Sequence, residues 1–331
     1  MTNRPKTALV FGIGGQDGAW LAKLLLDRGY TVHGTSRDRE ASAFGNLKRL
    51  GLFGQARLHS AVLTDFRSVV QVIGDVRPDE IYNLAGQSSV GLSFEQPAET
   101  LNSIMLGTLN ILEAIRFLAL ETRFYNASSS ECFGNTNGTP ADETHLFHPR
   151  SPYGVGKAAA YWTTANYRES YNLFACSGIL FNHESSLRPA RYVTQKIVRG
   201  AADIAEGKTE VLRLGQLSVS RDWGWAPEYA DAMWRMLNHD TPEDFVIATG
   251  ETYPLEEFVR LAFDYFGLDW RTRVETDAAL LRPSDIALSL GDPGKAKRLL
   301  GWEAETKMPG VVAKLLDAEM ERRRCGDPRP V

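Results

Sequence analysis

Between residues 7 and 36 the chain reads TALVF, then the turn GIGGQDG, then the amphipathic run WLAKLLLDRG, then TVHGTS. Few folds accept that order. A short β-rich run, a glycine turn opening directly into a helix and a second β-rich run form one strand–helix–strand unit. Its right-handed crossover lays the two strands parallel in one sheet. The same order recurs downstream in EIYNLAG, LGTLNILEAIRFLAL and RFYNASSS. Strands alternating with helices of 3.6-residue period predict an α/β chain built on a doubly wound parallel sheet.

In a sheet of that kind, ligands gather beyond the carboxyl ends of the strands, where the strand order reverses. Gly12, Gly15 and Gly18 lie at that place. Glycines so spaced let the backbone turn tightly against a pyrophosphate, whose charge meets the free N–H groups of the next helix. The sheet is therefore expected to be of Rossmann type. Gln16 and Asp17 within the turn, and Leu84 at the end of a later strand, join the glycines as candidate cofactor contacts. After TVHGTS come Arg37, Asp38 and Arg39. An acid at this strand tip would hold the ribose 2′-hydroxyl of NAD, whereas an arginine accommodates the 2′-phosphate of NADP. Arg37 comes first, so NADP is expected, and Asp38 leaves NAD possible.

The remainder of the chain narrows the function classes. With 331 residues, 43% of them hydrophobic, it can bury a full core. A net charge of −4 offers no broad attraction to nucleic acid or to an anionic membrane. Cys132, Cys176 and Cys325 follow no CxxC or metal-ligand spacing, so neither a disulfide framework nor a metal site is expected, and a reducing cytoplasm fits. No apolar run approaches the roughly 18 residues that would span a bilayer. From about Phe181 the alternation fades into loops and shorter helices such as VTQKIVRGAADIAEG and PLEEFVRLAFDYFG. We expect residues 1–180 to form the dinucleotide-binding domain and 181–331 mainly a smaller, interleaved C-terminal substrate-binding lobe. A segment near 215–250, DFVIAT at 244–249 in particular, would return to the main sheet.

Two further stretches carry chemistry. In SPYGVGKAAAYW, Tyr153 and Lys157 are four apart and share a helix face. A tyrosine is a poor base at neutral pH, but a neighbouring ammonium and a positive nicotinamide ring stabilise its phenolate. In SSSECFG, residues 128–134, three hydroxyls and then Glu131 stand where the strand from Arg123 to Ala127 opens into a loop. Taken alone, that carboxylate could equally cap the turn or pair with a cation.

GIGGQDG, NLAGQSSVGLSF, SSSECFG, SPYGVGK, GILFNHES, RDWG at 221–224 and LRPSD at 281–285 occur in order from about Thr7 to about Trp302. Together they resemble the extended short-chain dehydrogenase/reductases, and within them the GDP-mannose 4,6-dehydratase family. The resemblance implies oxidation at sugar C4 by NADP, loss of water across C5 and C6, and hydride return to C6. Tyr153 would take the proton of the 4-hydroxyl, Ser129 would hydrogen-bond that oxygen, and Lys157 would support the phenolate and the cofactor. Glu131 would abstract the C5 proton and then protonate the departing 6-hydroxyl. The 4-keto group formed first acidifies that C5 proton, so a carboxylate within reach is an adequate base.

Asn182, Lys196, Arg221 and Arg282, with Asp285 where the family has glutamate, would hold the GDP moiety, and Ser88 would stand near C4. A GDP-hexose or GDP-heptose is the expected substrate. The chain departs from the family in several places. Ser129 replaces the usual threonine, Ala61-Val62 the usual Gly-Asp, Asp38 a second arginine, and Gln216 and Ser220 the usual asparagine and lysine. Two alternatives use the same fold: a 4-epimerase or 4-reductase of a nucleotide sugar, in which Glu131 is idle, and a non-catalytic nucleotide-binding scaffold. The resemblance also implies a homodimer or homotetramer, paired through helices at about Leu101–Leu118 and Ser151–Tyr171.

Overall fold

The computed structural model describes residues 4–326; residues 1–3 and 327–331, at the outer ends of the two lobes drawn from the sequence, lie outside them. Its centre is a seven-stranded, wholly parallel sheet. The strands are β1 (Thr7–Phe11), β2 (Thr31–Ser36), β3 (Arg57–Ser60), β4 (Glu80–Asn83), β5 (Arg123–Ser129), β6 (Ala175–Leu180) and a last strand, Phe245–Ile247. From one edge the order runs Phe245–Ile247, β6, β5, β4, β1, β2, β3. The chain thus winds outward from β1 in both directions, and the reversal falls between β1 and β4.

Side chains alternate faces along each strand, so a sheet covered on both sides needs apolar residues at successive positions. In β1, Ala8 and Val10 pack with Leu21 and Leu25 of the helix Gln16–Asp27 and with Met233 of the helix Ala226–Leu237. Leu9 and Phe11 join the opposite layer, with Val69 and Ile73 of the helix Phe66–Val76 and Ile111 and Ile115 of the helix Gly107–Phe117.

A separate core lies beyond the sheet. Ile197 and Ala201 of the helix Val193–Ala205 meet Phe258 of the helix Leu255–Asp264 and Val312 of the helix Met308–Arg324. Between these pieces the chain returns to the main sheet. The helix Ala226–Leu237 covers one face, the strand Phe245–Ile247 pairs with β6, and Ala296 and Trp302 pack into the first core. The buried Asp222 of RDWG ties the two bodies, accepting from the backbone N–H groups of Thr249 and Gly250 at 2.9 Å each.

One local feature differs from the helical periodicity, and one agrees with it. Where a helix at about 101–118 is expected, the chain forms a helix at Pro97–Leu101, a single wide turn of π-helix at Asn102–Leu106, and a helix at Gly107–Phe117. The helix expected at 151–171 spans Pro152–Tyr171, with Ser151 as its cap: the Oγ accepts from the Gly154 N–H at 3.1 Å.

The exposed rim of the last strand is closed by a side chain. Glu143 Oε1 accepts from the Val246 N–H at 2.7 Å. On the same strand's approach, the carboxylate of Asp244 receives both arms of Arg168, at 2.7 and 3.0 Å, and the Ser177 N–H at 2.7 Å. Removing one partner of a nearly buried pair strands the other charge. Arg168→Ala is therefore expected to lower stability by about 3 kcal/mol, read as a shift of the urea midpoint with an unchanged slope; a change under about 0.5 kcal/mol would show the pair to be idle.

Candidate functional site

A cleft of about 580 Å³ opens beyond the carboxyl ends of β4, β5 and β6. One end begins at the glycine turn. Gly12, with φ of 84°, ends β1 so close to β4 that a Cβ on it would stand 3.0 Å from the Ala85 nitrogen. Gly18 is tighter still, since its Cβ would meet the Gly12 carbonyl oxygen at 2.3 Å. Gly15 is the cap of the following helix and has no side chain to satisfy the first N–H groups. They remain free for an anion. Leu84 and Asp17 line the cleft, and Gln16 lies just inside the helix.

Gln16 and Asp17 do more than sequence reasoning gave them. The Gln16 side chain donates to the His183 carbonyl oxygen at 3.2 Å and accepts from Ser185 Oγ at 3.0 Å. Asp17 Oδ2 lies 3.1 Å from His183 Nε2, while His183 Nδ1 and the Phe181 carbonyl oxygen are 2.7 Å apart. Burial opposes charge on this pair, yet each partner favours the other's ionised form: Asp17 is held below the carboxylate range and His183 is raised above its ordinary value. The glycine turn is thereby fastened to the short strand Asn182–Glu184 that opens the second lobe.

At the middle of the cleft three elements converge. β5 delivers Ser129, whose Oγ accepts from the Glu131 N–H at 3.3 Å and which lines the cleft together with Tyr153. Glu131 sits in the single helical turn Ser130–Cys132, close to Ser151, the cap of the helix that carries Tyr153. Gly154 permits this meeting, since a Cβ there would press on the Glu131 carbonyl oxygen at 2.8 Å. One turn further, Lys157 Nζ donates to the Ala127 carbonyl oxygen at 2.6 Å and lies 5.7 Å from the centre of the Tyr153 ring.

The protonation states follow from burial. Desolvation raises the Glu131 carboxyl above its usual value, with Arg221 and Arg282 acting against it. It raises the Tyr153 phenol and lowers Lys157 to about 8. Tyr153 thus stays protonated until positive charge is placed beside it. Cys132, next to Glu131, is raised to about 12 by burial and has no reactive thiolate.

At the far end Arg221 donates to the Ile286 carbonyl oxygen at 2.6 Å and to Asp285 Oδ1 at 2.8 Å; Arg282 stands 3.5 Å from the same oxygen. Asn182 and Lys196 complete this wall, and Ser88 stands on the loop after β4. The structure therefore brings Ser88, Ser129, Glu131, Tyr153, Lys157, Asn182, Lys196, Arg221, Arg282 and Asp285 to one cleft. Arg37 stands outside it, exposed at the tip of β2, with no ion pair among the described residues. His183, Glu184, Arg188 and Tyr192 also line the cleft and were missed. His183 and Glu184 lie in the NHES motif itself, whereas nothing in SSLRPARY singles out Arg188 or Tyr192.

The family model described as GDP-mannose 4,6 dehydratase matches residues 9–315. A GDP-mannose 4,6-dehydratase of Sinorhizobium fredii is 44% identical, over 98% of this chain and 99% of its own. GDP-mannose 4,6 dehydratase 2 of Arabidopsis thaliana is also 44% identical, over 96% of this chain and 87% of its own. The UDP-glucose 4-epimerase of Thermotoga maritima, solved with UDP-glucose, superposes with a TM-score of 0.83 at 23% identity, over 96% of this chain and 99% of that one, a likeness of fold. The tight turn at Gly18 gives a direct test. Gly18→Ala should reduce NADPH binding, followed by nucleotide fluorescence, at least tenfold while far-UV circular dichroism is retained; unchanged binding would place the dinucleotide elsewhere.

Proposed function

The chain belongs to the GDP-mannose 4,6-dehydratase family, and from that premise we propose that it converts GDP-D-mannose to GDP-4-keto-6-deoxy-D-mannose with NADP. The reaction is a lyase reaction with no net redox change. The observation that carries this reading is the meeting of Glu131 with Tyr153 and Ser129. An epimerase or reductase needs the tyrosine and the serine but has no use for a carboxylate beside them.

The residues at the glycine turn fit a dinucleotide. Gly12 and Gly18 sit where a Cβ would collide with backbone, and the helix they precede leaves its first N–H groups open. At the tip of β2, Ser36 Oγ is buried without a hydrogen-bond partner beside the exposed Arg37. Asp38 Oδ1 is engaged by the N–H groups of Glu40 and Ala41 at 2.9 and 3.2 Å, in its own loop. This arrangement favours a 2′-phosphate over a bare ribose and supports NADP. When bound, NADP+ would supply a positively charged hydride acceptor and later the hydride for C6.

Tyr153 takes the proton of the sugar 4-hydroxyl, and Ser129 holds that oxygen. Lys157 stands behind the ring, and its positive charge favours the phenolate. Glu131 removes the C5 proton once C4 is a ketone. The same carboxyl, now protonated, hands the proton to the 6-hydroxyl as water leaves, and once C6 has been reduced C5 takes a proton from solvent to restore the saturated ring. Its raised proton affinity suits both halves of that exchange, since a group too acidic would be a poor donor to the leaving oxygen. Ser130 follows Ser129 where an acid could have shared the work, so a single side chain performs both transfers. Arg221 and Arg282 hold the diphosphate by charge-assisted hydrogen bonds. Asn182 and Lys196 bind alongside them, and Asp285 keeps Arg221 aimed.

In D2O the product should carry one solvent deuterium at C5 and should have lost one water by mass. Glu131→Gln should cut turnover at least 100-fold while a transient of NADPH absorbance remains. A product retaining its 6-hydroxyl, or near-normal turnover of the variant, would replace dehydration by epimerisation or reduction.

We also propose that two copies pair through the helix Pro152–Tyr171. Val155 and Trp162, seven residues apart on one face, are 46% and 62% exposed. Light scattering should give at least a dimer, and Trp162→Glu should yield monomer; a monomeric parent protein at assay concentration refutes the pairing.

A further inference from the structure

Tyr192 belongs to none of the motifs that identify the cleft, yet it lines the cleft wall. It immediately precedes the helix Val193–Ala205 of the second lobe, and its hydroxyl lies 2.8 Å from Ser88 Oγ, on the loop after β4. The ring is held from behind. The Arg188 guanidinium lies 3.9 Å from the ring centre, and Arg191 stands 5.3 Å from it. Arg188 is itself 3.4 Å from Glu184 Oε2, which accepts from Thr194 Oγ1 at 2.8 Å. A phenol fixed in this way offers its hydroxyl at a defined point. Two paired hydroxyls spend one hydrogen on each other, which leaves one hydrogen and several lone pairs for a ligand.

The position of that point follows from the proposed reaction, on which this inference rests. With O4 at Tyr153 and C5 at Glu131, the remaining ring neighbour of C4 is C3. Glu131 reaches Tyr153 from the turn after β5. Tyr192 lines the same cleft from the start of the helix Val193–Ala205 and is tied to the loop after β4. A sugar that presents C5 to the first must present C3 to the second. We propose that Tyr192, held by Ser88, is a specificity-determining residue that hydrogen-bonds the hydroxyl on C3 of the sugar.

Tyr192→Phe and Ser88→Ala test this in the NADP-loaded protein, with calorimetric binding of GDP-mannose, its 3-deoxy analogue and GDP alone. Losing one such hydrogen bond corresponds to about three- to tenfold in affinity. Tyr192→Phe is expected to weaken GDP-mannose by that factor and to leave the 3-deoxy sugar and GDP unchanged. Ser88→Ala is expected to act in the same direction. Equal weakening of all three ligands would make the pair a tie between lobes with no part in recognition, and unchanged binding of all three would remove it from the sugar. A parent protein that still releases the 4-keto-6-deoxy product alongside either result leaves the dehydratase reading standing and this inference overturned. A parent protein that dehydrates no GDP-hexose overturns both.

Discussion

The cleft exists because two stretches of backbone approach within van der Waals distance: the turn that follows β5 and the first turn of the helix Pro152–Tyr171. Gly154 is the condition for that approach, since any side chain there would strike the Glu131 carbonyl oxygen. Ser151 caps the helix, its hydroxyl accepting from the Gly154 N–H. The acid and the phenol therefore sit on two elements, the turn Ser130–Cys132 and the helix Pro152–Tyr171, whose backbones meet at Gly154.

A second junction joins the halves of the site. The carboxylate of Asp17 and the ring of His183 face each other at 3.1 Å, and Gln16 and Ser185 complete the contact. These residues come from the first helix and from the opening of the second lobe, about 165 positions later. An ion pair with few water contacts resists separation only while both members stay charged and well placed. The spacing between the glycine turn and the strand Asn182–Glu184 is thereby set by side chains and does not rest on lobe packing alone.

Much of the fold was legible because a parallel sheet covered on both faces demands apolar strands and periodic helices, and residues 7–129 supply them in order. The glycine turn was legible for a different reason: backbone in contact with backbone excludes any Cβ, and that exclusion is written as residue type. Tyr153 and Lys157 could be placed because helical spacing fixes their common face. The wide π-turn at Asn102–Leu106 was not legible, since an extra residue in a helix breaks the apolar period without announcing where. Tyr192 and Arg188 were hidden as well. Their place depends on how the second lobe returns over β4, and no local pattern records that return. Asp38 looked like a ribose ligand by position, and its Oδ1 is taken up by the N–H groups of its own loop.

The carboxylate of Glu143, seated on the Val246 N–H, has an effect well away from the chemistry. An uncovered outermost strand invites a foreign chain to zip alongside it and seed fibrous growth. Here one donor on that flank is already spoken for, and Ala141 forms a bridge to Gly291 just beside it. Lateral accretion at this margin is discouraged by a plug of a few atoms.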